Sequence, residues 1–169
     1  FGEGARPYYN NVTATLIDKI FQGENPEINP EGKVSLLHAG EAADIALSAL
    51  FKQTKGTVKP NSHDISVLAL YEKLQGFHSL YEQNIFPDVS QPFDLQLFNS
   101  YRSAGFPAKY PKPLKLHQDN RGVLFESAKG GGGGQSFMST TVPDITRGDH
   151  FHIDKVERFL VVRGKAVIR

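Results

Sequence analysis

Apolar positions change their spacing once along this chain, from a helical period in the first part to strand-like runs in the second. Val12, Leu16, Ile17, Ile20 and Phe21 recur at helical intervals, which predicts a helix to about Gln22, with Asn10 or Asn11 as its N-cap and Gly23 as its end. Val34 to His38 reads as a short buried strand. Glu41 to Lys52 is alanine-rich and apolar at Ile45, Leu47, Ala49 and Leu50, so a packed helix is expected. Gly56 to Lys59 reads as a weak strand. Ser62 or Asp64 can cap a helix running through Leu74, with Ile65, Leu68 and Tyr71 on one side; His78, after Gly76, falls at a helix break and reads as a surface histidine. Phe93, Leu97, Phe98 and Tyr101 suggest one more short helix, inside a stretch from Ile85 to Pro113 that carries five prolines and whose aromatics would brace the first part.

Beyond a boundary near Ala108 the pattern is of strands. Leu114 to Leu116 is short, Asp119 to Gly122 is a turn, and Val123 to Ser127 and Ser136 to Val142 flank five consecutive glycines, Gly130 to Gly134. With no Lys-Ser/Thr and no helix after them, these glycines make a flexible hairpin tip rather than a phosphate loop. Next come Arg147, Gly148, Asp149, His150, Phe151 and His152, then Glu157 and Gly164. Residues i and i+2 of a strand share a face, so His150 and His152 can point together. Glu157 has the wrong parity to join them on one straight strand, and a bend or bulge near Asp154-Lys155 is required. Strands at Glu157–Arg163 and from Ala166 to Arg169 complete the reading. Two imidazoles and a carboxylate converging in an apolar cavity suit zinc, or iron, manganese or nickel. The alternative is a polar strand pair with two surface histidines; Glu157 and Gly164 at these intervals favour the inward-facing cluster.

Composition narrows the classes. At 39% hydrophobic and 22% charged, the 169 residues belong to a globular chain and not to a disordered one. A net charge of +1 without a basic block gives no footprint for nucleic acid or an anionic membrane. There is no cysteine, hence no disulfide and no thiolate metal site, which fits a reducing cytoplasm. No apolar run reaches the length of a membrane span. The chain opens at Phe1 without a Met and ends within a predicted strand, so it reads as a fragment of a longer protein.

Several segments resemble known families. The His150-x-His152, Glu157, Gly164 spacing resembles the first conserved motif of the cupins, which are jelly-roll barrels; cupins usually add a ligand from a second motif downstream, which this sequence lacks. Phe1-Gly2, Arg6-Pro7-Tyr8-Tyr9-Asn10-Asn11 and Leu36-Leu37-His38-Ala39-Gly40-Glu41-Ala42-Ala43-Asp44 together resemble the C-terminal half of an extended short-chain dehydrogenase/reductase that acts on nucleotide sugars. That resemblance implies a helix N-terminus facing a sugar nucleotide, where free N–H groups and the helix dipole favour pyrophosphate, with Arg6, Asn10 and Asn11 as substrate contacts. Equally, one asparagine only caps the helix. Gly40 and Glu41 replace the family's acidic pair, so His38 is expected to be a buried, hydrogen-bonded histidine without a catalytic role. The family's glycine fingerprint and Tyr-x-x-x-Lys are absent, so no residue here is assigned to cofactor binding.

Asp119 to Glu126 resembles the opening motif of the dTDP-4-keto-sugar 3,5-epimerases, which implies nucleotide-sugar binding by Arg121 and Glu126; for Arg121 a solvated turn position is the alternative. Arg147-Gly148-x-His150 is similar to the epimerases' Arg-Gly-x-His, in which the histidine is a base, so His150 stands as metal ligand, as base, or as one in place of the other. The pairing of the two parts resembles the UDP-2-acetamido-2,6-dideoxy-hexulose reductases of capsular polysaccharide synthesis. It implies an α/β, Rossmann-type reductase portion over residues 1–108, followed by an all-β cupin portion over residues 109–169. The implied chemistry is zinc-dependent C3 epimerisation and NADPH-dependent reduction of a UDP-4-keto sugar by a cytoplasmic homodimer, NADPH being held by a half not present here. Two readings stay beside it: a cupin-type epimerase without reductase activity, and a non-catalytic cupin module for binding or dimerisation.

Overall fold

The computed structural model describes residues 1–148 and 150–168; Asp149, inside the histidine motif, and Arg169, the end of the third predicted strand, lie outside the described residues. Helices and sheets are mixed. In chain order the elements are α1 (Val12–Gln22), β1 (Lys33–Leu36), α2 (Ala39–Phe51), β2 (His63–Ser66), α3 (Val67–Glu82), β3 (Ile85–Phe86), α4 (Pro92–Ala104), β4 (Leu116–Asp119), β5 (Gly122–Gly130) and β6 (Gln135–Ser139).

The core lies where α1, α3 and α4 meet. Leu16, Ile17 and Ile20 from α1, Leu70, Leu74, Phe77 and Tyr81 from α3, and Leu97, Phe98 and Tyr101 from α4 are all buried. Each set recurs at three- and four-residue intervals, so each helix turns one stripe inward. Lys73 on α3 pairs with Asp94 on α4 at 2.8 Å, tying the polar margins of the two helices. α1 begins and ends where its sequence predicts: Asn11 caps it, and the Gly23 and Glu24 amides return to the carbonyls of Ile20 and Lys19. β1 and β2 form a two-stranded antiparallel pair in register Lys33↔Ser66 to Leu36↔His63, and the Val67 amide donates to the Gly32 carbonyl where α3 begins.

Several expectations are corrected. α2 forms, but none of its residues is buried; Leu47, Leu50 and Phe51 are 51%, 69% and 81% exposed, so it is helical without being packed. Helical propensity is local, whereas burial needs an opposing surface, and the described residues present none to this face. β1 stops at Leu36 and buries only that residue. Gly56 to Lys59 is not a strand. Residues 63–66 are β2, so α3 is capped by Ser66, not by Ser62 or Asp64. α3 runs through Gly76 to Glu82, because the buried stripe of Leu70, Leu74, Phe77 and Tyr81 continues past the glycine. His78 is therefore inside a helix and half-buried, not at a break on the surface.

In the second sheet β5 is central. β4 pairs antiparallel with it (Leu116↔Phe125 to Asp119↔Gly122), β6 pairs antiparallel on the other edge (Leu124↔Ser139 to Lys129↔Gln135), and a register shift falls between Glu126 and Ala128. β3 pairs with Lys129 and Gly130 in parallel, extending the edge that β4 leaves free. Gly122 sits at φ 138, and a Cβ there would overlap the Thr140 carbonyl, so the turn between β4 and β5 requires glycine. The strand predicted at Leu114–Leu116 begins at Leu116, and that predicted at Ser136–Val142 ends at Ser139, although the amides of Thr140 and Val142 still reach the carbonyls of Val123 and Arg121.

The strands expected at His150–His152, Glu157–Arg163 and Ala166–Arg169 are absent among the described residues, and every described residue from His150 to Ile168 is exposed. A strand is stabilised by ladder partners and by a covered face, and no described segment supplies either to these residues. The core should therefore tolerate little and α2 much. Leu74→Ala is expected to lower stability by about 2–5 kcal/mol, and Phe51→Ser on α2 by no more than about 0.5 kcal/mol, in urea denaturation of the 169-residue chain.

Candidate functional site

The first candidate region is the N-terminus of α1. The Asn11 side chain accepts a hydrogen bond from the Ala14 amide at 3.0 Å, so of the two asparagines it is Asn11 that caps the helix. Asn10 is exposed with φ 49, and Arg6 is exposed as well. Tyr8, also at positive φ, donates its amide to Thr15 Oγ1 at 2.9 Å and its hydroxyl to Asp18 at 2.8 Å, which fixes the loop over the first turns of the helix. Behind the loop lies a small cavity of about 30 Å³, lined by Gly2, Gly4, Asn11, Thr13, Ile17 and Ser100 among others. Thr13 is 1% exposed and its Oγ1 has no hydrogen-bond partner among the described residues. Arg6, Asn10 and Asn11 thus share one loop-to-helix corner beside amides that the helix itself leaves unpaired.

His38 stands next to this corner. The Phe1 carbonyl accepts from the Ala39 amide at 2.8 Å, and the chain's first amino group donates to the Leu37 carbonyl at 2.9 Å. The imidazole caps α2, its Nδ1 accepting from the Gly40 amide at 3.2 Å. That fixes the tautomer: the proton is on Nε2, which faces Glu3 at 3.1 Å. The residue is hydrogen-bonded as expected, but half-buried rather than buried.

The second region is the β4–β5 turn. Arg121 is engaged with Asp119: Nε and Nη2 donate to Oδ2 at 2.9 and 2.6 Å, and the Arg121 amide donates to Oδ1 at 2.8 Å. These bonds hold the Asp119 carboxyl below its usual range and raise the guanidinium. Glu126 is half-buried further along β5, opposite Phe137 of β6. Arg147 donates to the Thr140 carbonyl at 2.8 Å and adds its charge near Asp119.

The third region is the histidine motif. The rings of His150 and His152 lie edge to face with centroids 4.9 Å apart. Glu157 is drawn instead to Lys155 at 2.6 Å; that hydrogen bond lowers its carboxyl first, with the two histidines contributing less. Donor types suited to zinc are present, but among the described residues no group of three or more His, Cys, Asp or Glu side chains is positioned to hold a metal ion.

One polar pair was not legible as such in the sequence. His78 Nδ1 and the Tyr101 hydroxyl are 2.9 Å apart. Burial lowers the imidazole and pushes the phenol well up, so both stay neutral at pH 7. The signal was available: His78 lies four residues past Leu74 on the stripe that packs inward.

Comparison with known proteins adds the following. The description "Polysaccharide biosynthesis C-terminal domain" matches residues 117–169. A curated UDP-2-acetamido-2,6-beta-L-arabino-hexul-4-ose reductase of Pseudomonas aeruginosa is 27% identical over 98% of this chain. The chain spans 46% of that relative's length. The crystal structure of the capsular polysaccharide assembling protein CapF from Staphylococcus aureus matches with a TM-score of 0.66 at 23% identity, covering 77% of this chain and 37% of that one. A structure of CapF with the inhibitor 3-isopropenyl-tropolone matches at the same TM-score and identity, over 76% of this chain and 39% of that one. The similarity to a hexulose reductase therefore extends over nearly the whole chain, and the fold is like that of CapF over about three-quarters of it. No helix among the described residues is long and apolar enough to cross a membrane.

Two predictions follow from this geometry. Asn11→Ala should lower stability by about 1 kcal/mol and Asn11→Asp should restore most of it, in thermal denaturation, if the side chain acts as the cap. His78 has a folded pKa below its ordinary 6.5, so the unfolded chain takes up a proton that the folded chain refuses, and stability falls as pH drops through 6.5 and levels off below the folded value. Urea titrations of the wild type and His78→Gln between pH 8 and pH 5 should show this slope in the wild type and a flatter one in the variant.

Proposed function

We propose that this chain carries part of a bifunctional nucleotide-sugar enzyme of capsule or O-antigen polysaccharide synthesis, one that epimerises a UDP-4-keto-6-deoxy-N-acetylhexosamine at C3 and reduces its 4-ketone with NADPH. The observation that carries this reading is the similarity, over 98% of the chain, to a reductase named for such a sugar nucleotide. The α1 corner is the proposed place of the UDP-sugar, with Asn10 and Arg6 free to donate to phosphate or sugar hydroxyls and the helix amides to the pyrophosphate. A Rossmann-type reductase portion followed by a cupin portion, with the division near Ala108, is the arrangement this reading adopts, and a cytoplasmic homodimer is its assembly.

In the second part, His150, His152 and Glu157 would hold zinc or another divalent ion once Glu157 exchanges Lys155 for the metal. Such an ion supplies Lewis-acid stabilisation of negative charge at a ketone oxygen. The proton at C3, alpha to the ketone, needs a base, and His150 can take it at a ring nitrogen in place of ligating the ion, which His152 and Glu157 would then hold. Arg121, turned from Asp119, and Glu126 would orient the nucleotide sugar. Hydride transfer belongs to NADPH, for which this sequence holds neither the glycine fingerprint nor Tyr-x-x-x-Lys.

A second reading has its own support. The histidines are exposed on a segment without strand structure and Glu157 is paired with a lysine, as a non-catalytic sheet module would allow. Deuterium exchange separates the two. With the 4-keto substrate and zinc in D₂O, the epimerase reading expects label at C3 from the 169-residue chain, lost in His150→Ala and Glu157→Ala. Label unchanged in both variants, or none in the wild type, favours the non-catalytic module. The chain by itself should oxidise no NADPH, which absorbance at 340 nm tests directly.

A further inference from the structure

Where the sheet meets the helices, backbone lies directly on backbone. β3 is only Ile85–Phe86, yet it pairs in parallel with Lys129 and Gly130, and the Gly131 amide donates to the Phe86 carbonyl at 2.7 Å. The glycine run starts at this contact. A Cβ on Gly131 would meet Phe86 O at 3.2 Å, Asp88 N at 3.5 Å and the Pro87 carbonyl carbon at 3.7 Å. These are backbone atoms, which cannot swing aside as a side chain can. Gly132 and Gly134, by contrast, would meet nothing within 4 Å.

The same end of α3 also receives the connecting segment. Asn84, held at φ 60, donates its side-chain amide to the Pro113 carbonyl at 3.0 Å. Lys112 reaches Glu82 at 2.9 Å, and the Tyr110 hydroxyl donates to that of Tyr81 at 3.3 Å. Lys112 Nζ also lies 4.7 Å from the centre of the Tyr81 ring, which in turn leans on Phe86.

We infer that the end of α3 together with β3 is a docking seat for the glycine hairpin, that Gly131 is the residue that lets the hairpin reach it, and that this seat holds the sheet in one orientation on the helical core. The glycine run is thus an interface at its first half and an open tip at its second. The inference rests on contacts within this chain and does not depend on the sugar or the metal.

The chain has no cysteine, so Glu72→Cys on α3 and Ser139→Cys on β6, both exposed, give one spin-labelled pair in the 169-residue chain. A single narrow distance is expected by electron–electron double resonance, retained when Gly132→Val is added and lost when Gly131→Val is added. Asn84→Gly, which keeps the backbone free to adopt its φ and removes only the bond to Pro113, should broaden the distribution in the same direction. Circular dichroism of the helices checks folding, and if Gly131→Val fails to fold, the Asn84→Gly result decides. A broad distribution in the labelled parent, broadening by Gly132→Val equal to that by Gly131→Val, or a narrow distance surviving both Gly131→Val and Asn84→Gly overturns the inference.

Discussion

Burial of one stripe of α4 between α1 and α3 is the contact on which the rest of the molecule depends. Leu97 and Tyr101 are 0% and 1% exposed. Each large apolar side chain buried there contributes about 1.5–3 kcal/mol. The aromatic members add directional packing: Phe98 stands edge-on to Phe77 and Tyr81 and stacks with Tyr101. Tyr101 would be costly to bury with an idle hydroxyl, and His78 removes that cost by sharing a hydrogen bond with it. Without this stripe, α1 would have no second wall and α3 no reason to continue past Gly76.

From that core the other features follow in order of distance. The loop before α1 is fixed because Asn11 caps a helix that is itself anchored by Leu16, Ile17 and Ile20. The end of α3 is rigid enough to present Asn84, Tyr81 and Glu82 to the connecting segment, and β3 to the hairpin. The sheet beyond has no buried apolar layer of its own among the described residues, so its placement relies on these junction contacts more than on a core.

This gradient also separates the candidate sites. The α1 corner is assembled: its loop, cap and neighbouring imidazole are all tied to buried elements. The turn holding Arg121 is assembled locally, through Asp119 and the tight approach of Thr140 to Gly122. The histidine motif is assembled only as far as neighbouring residues can take it. His150 and His152 meet because they are two residues apart, whereas Glu157 finds Lys155, also two residues away, before it finds the histidines.

What the sequence by itself determined is what local physics decides. The span of α1 was legible from Asn11, the apolar period and Gly23, and α4 from Phe93, Leu97, Phe98 and Tyr101. The β4–β5 turn and the hairpin around the glycines were legible from turn chemistry. Resemblance of short motifs pointed to the nucleotide-sugar reductases, because motifs are carried by residue identity and survive without their surroundings. Tertiary structure alone decided the rest. It left the apolar face of α2 open, put β2 where a helix cap was expected, carried α3 through Gly76 and drew His78 inward, since each depends on what lies opposite. It also decided that Gly131 is a contact and Gly132 is not, and that Glu157 stays with Lys155. Periodicity reports which face a residue occupies; whether that face meets a partner is settled by packing between segments far apart in the chain.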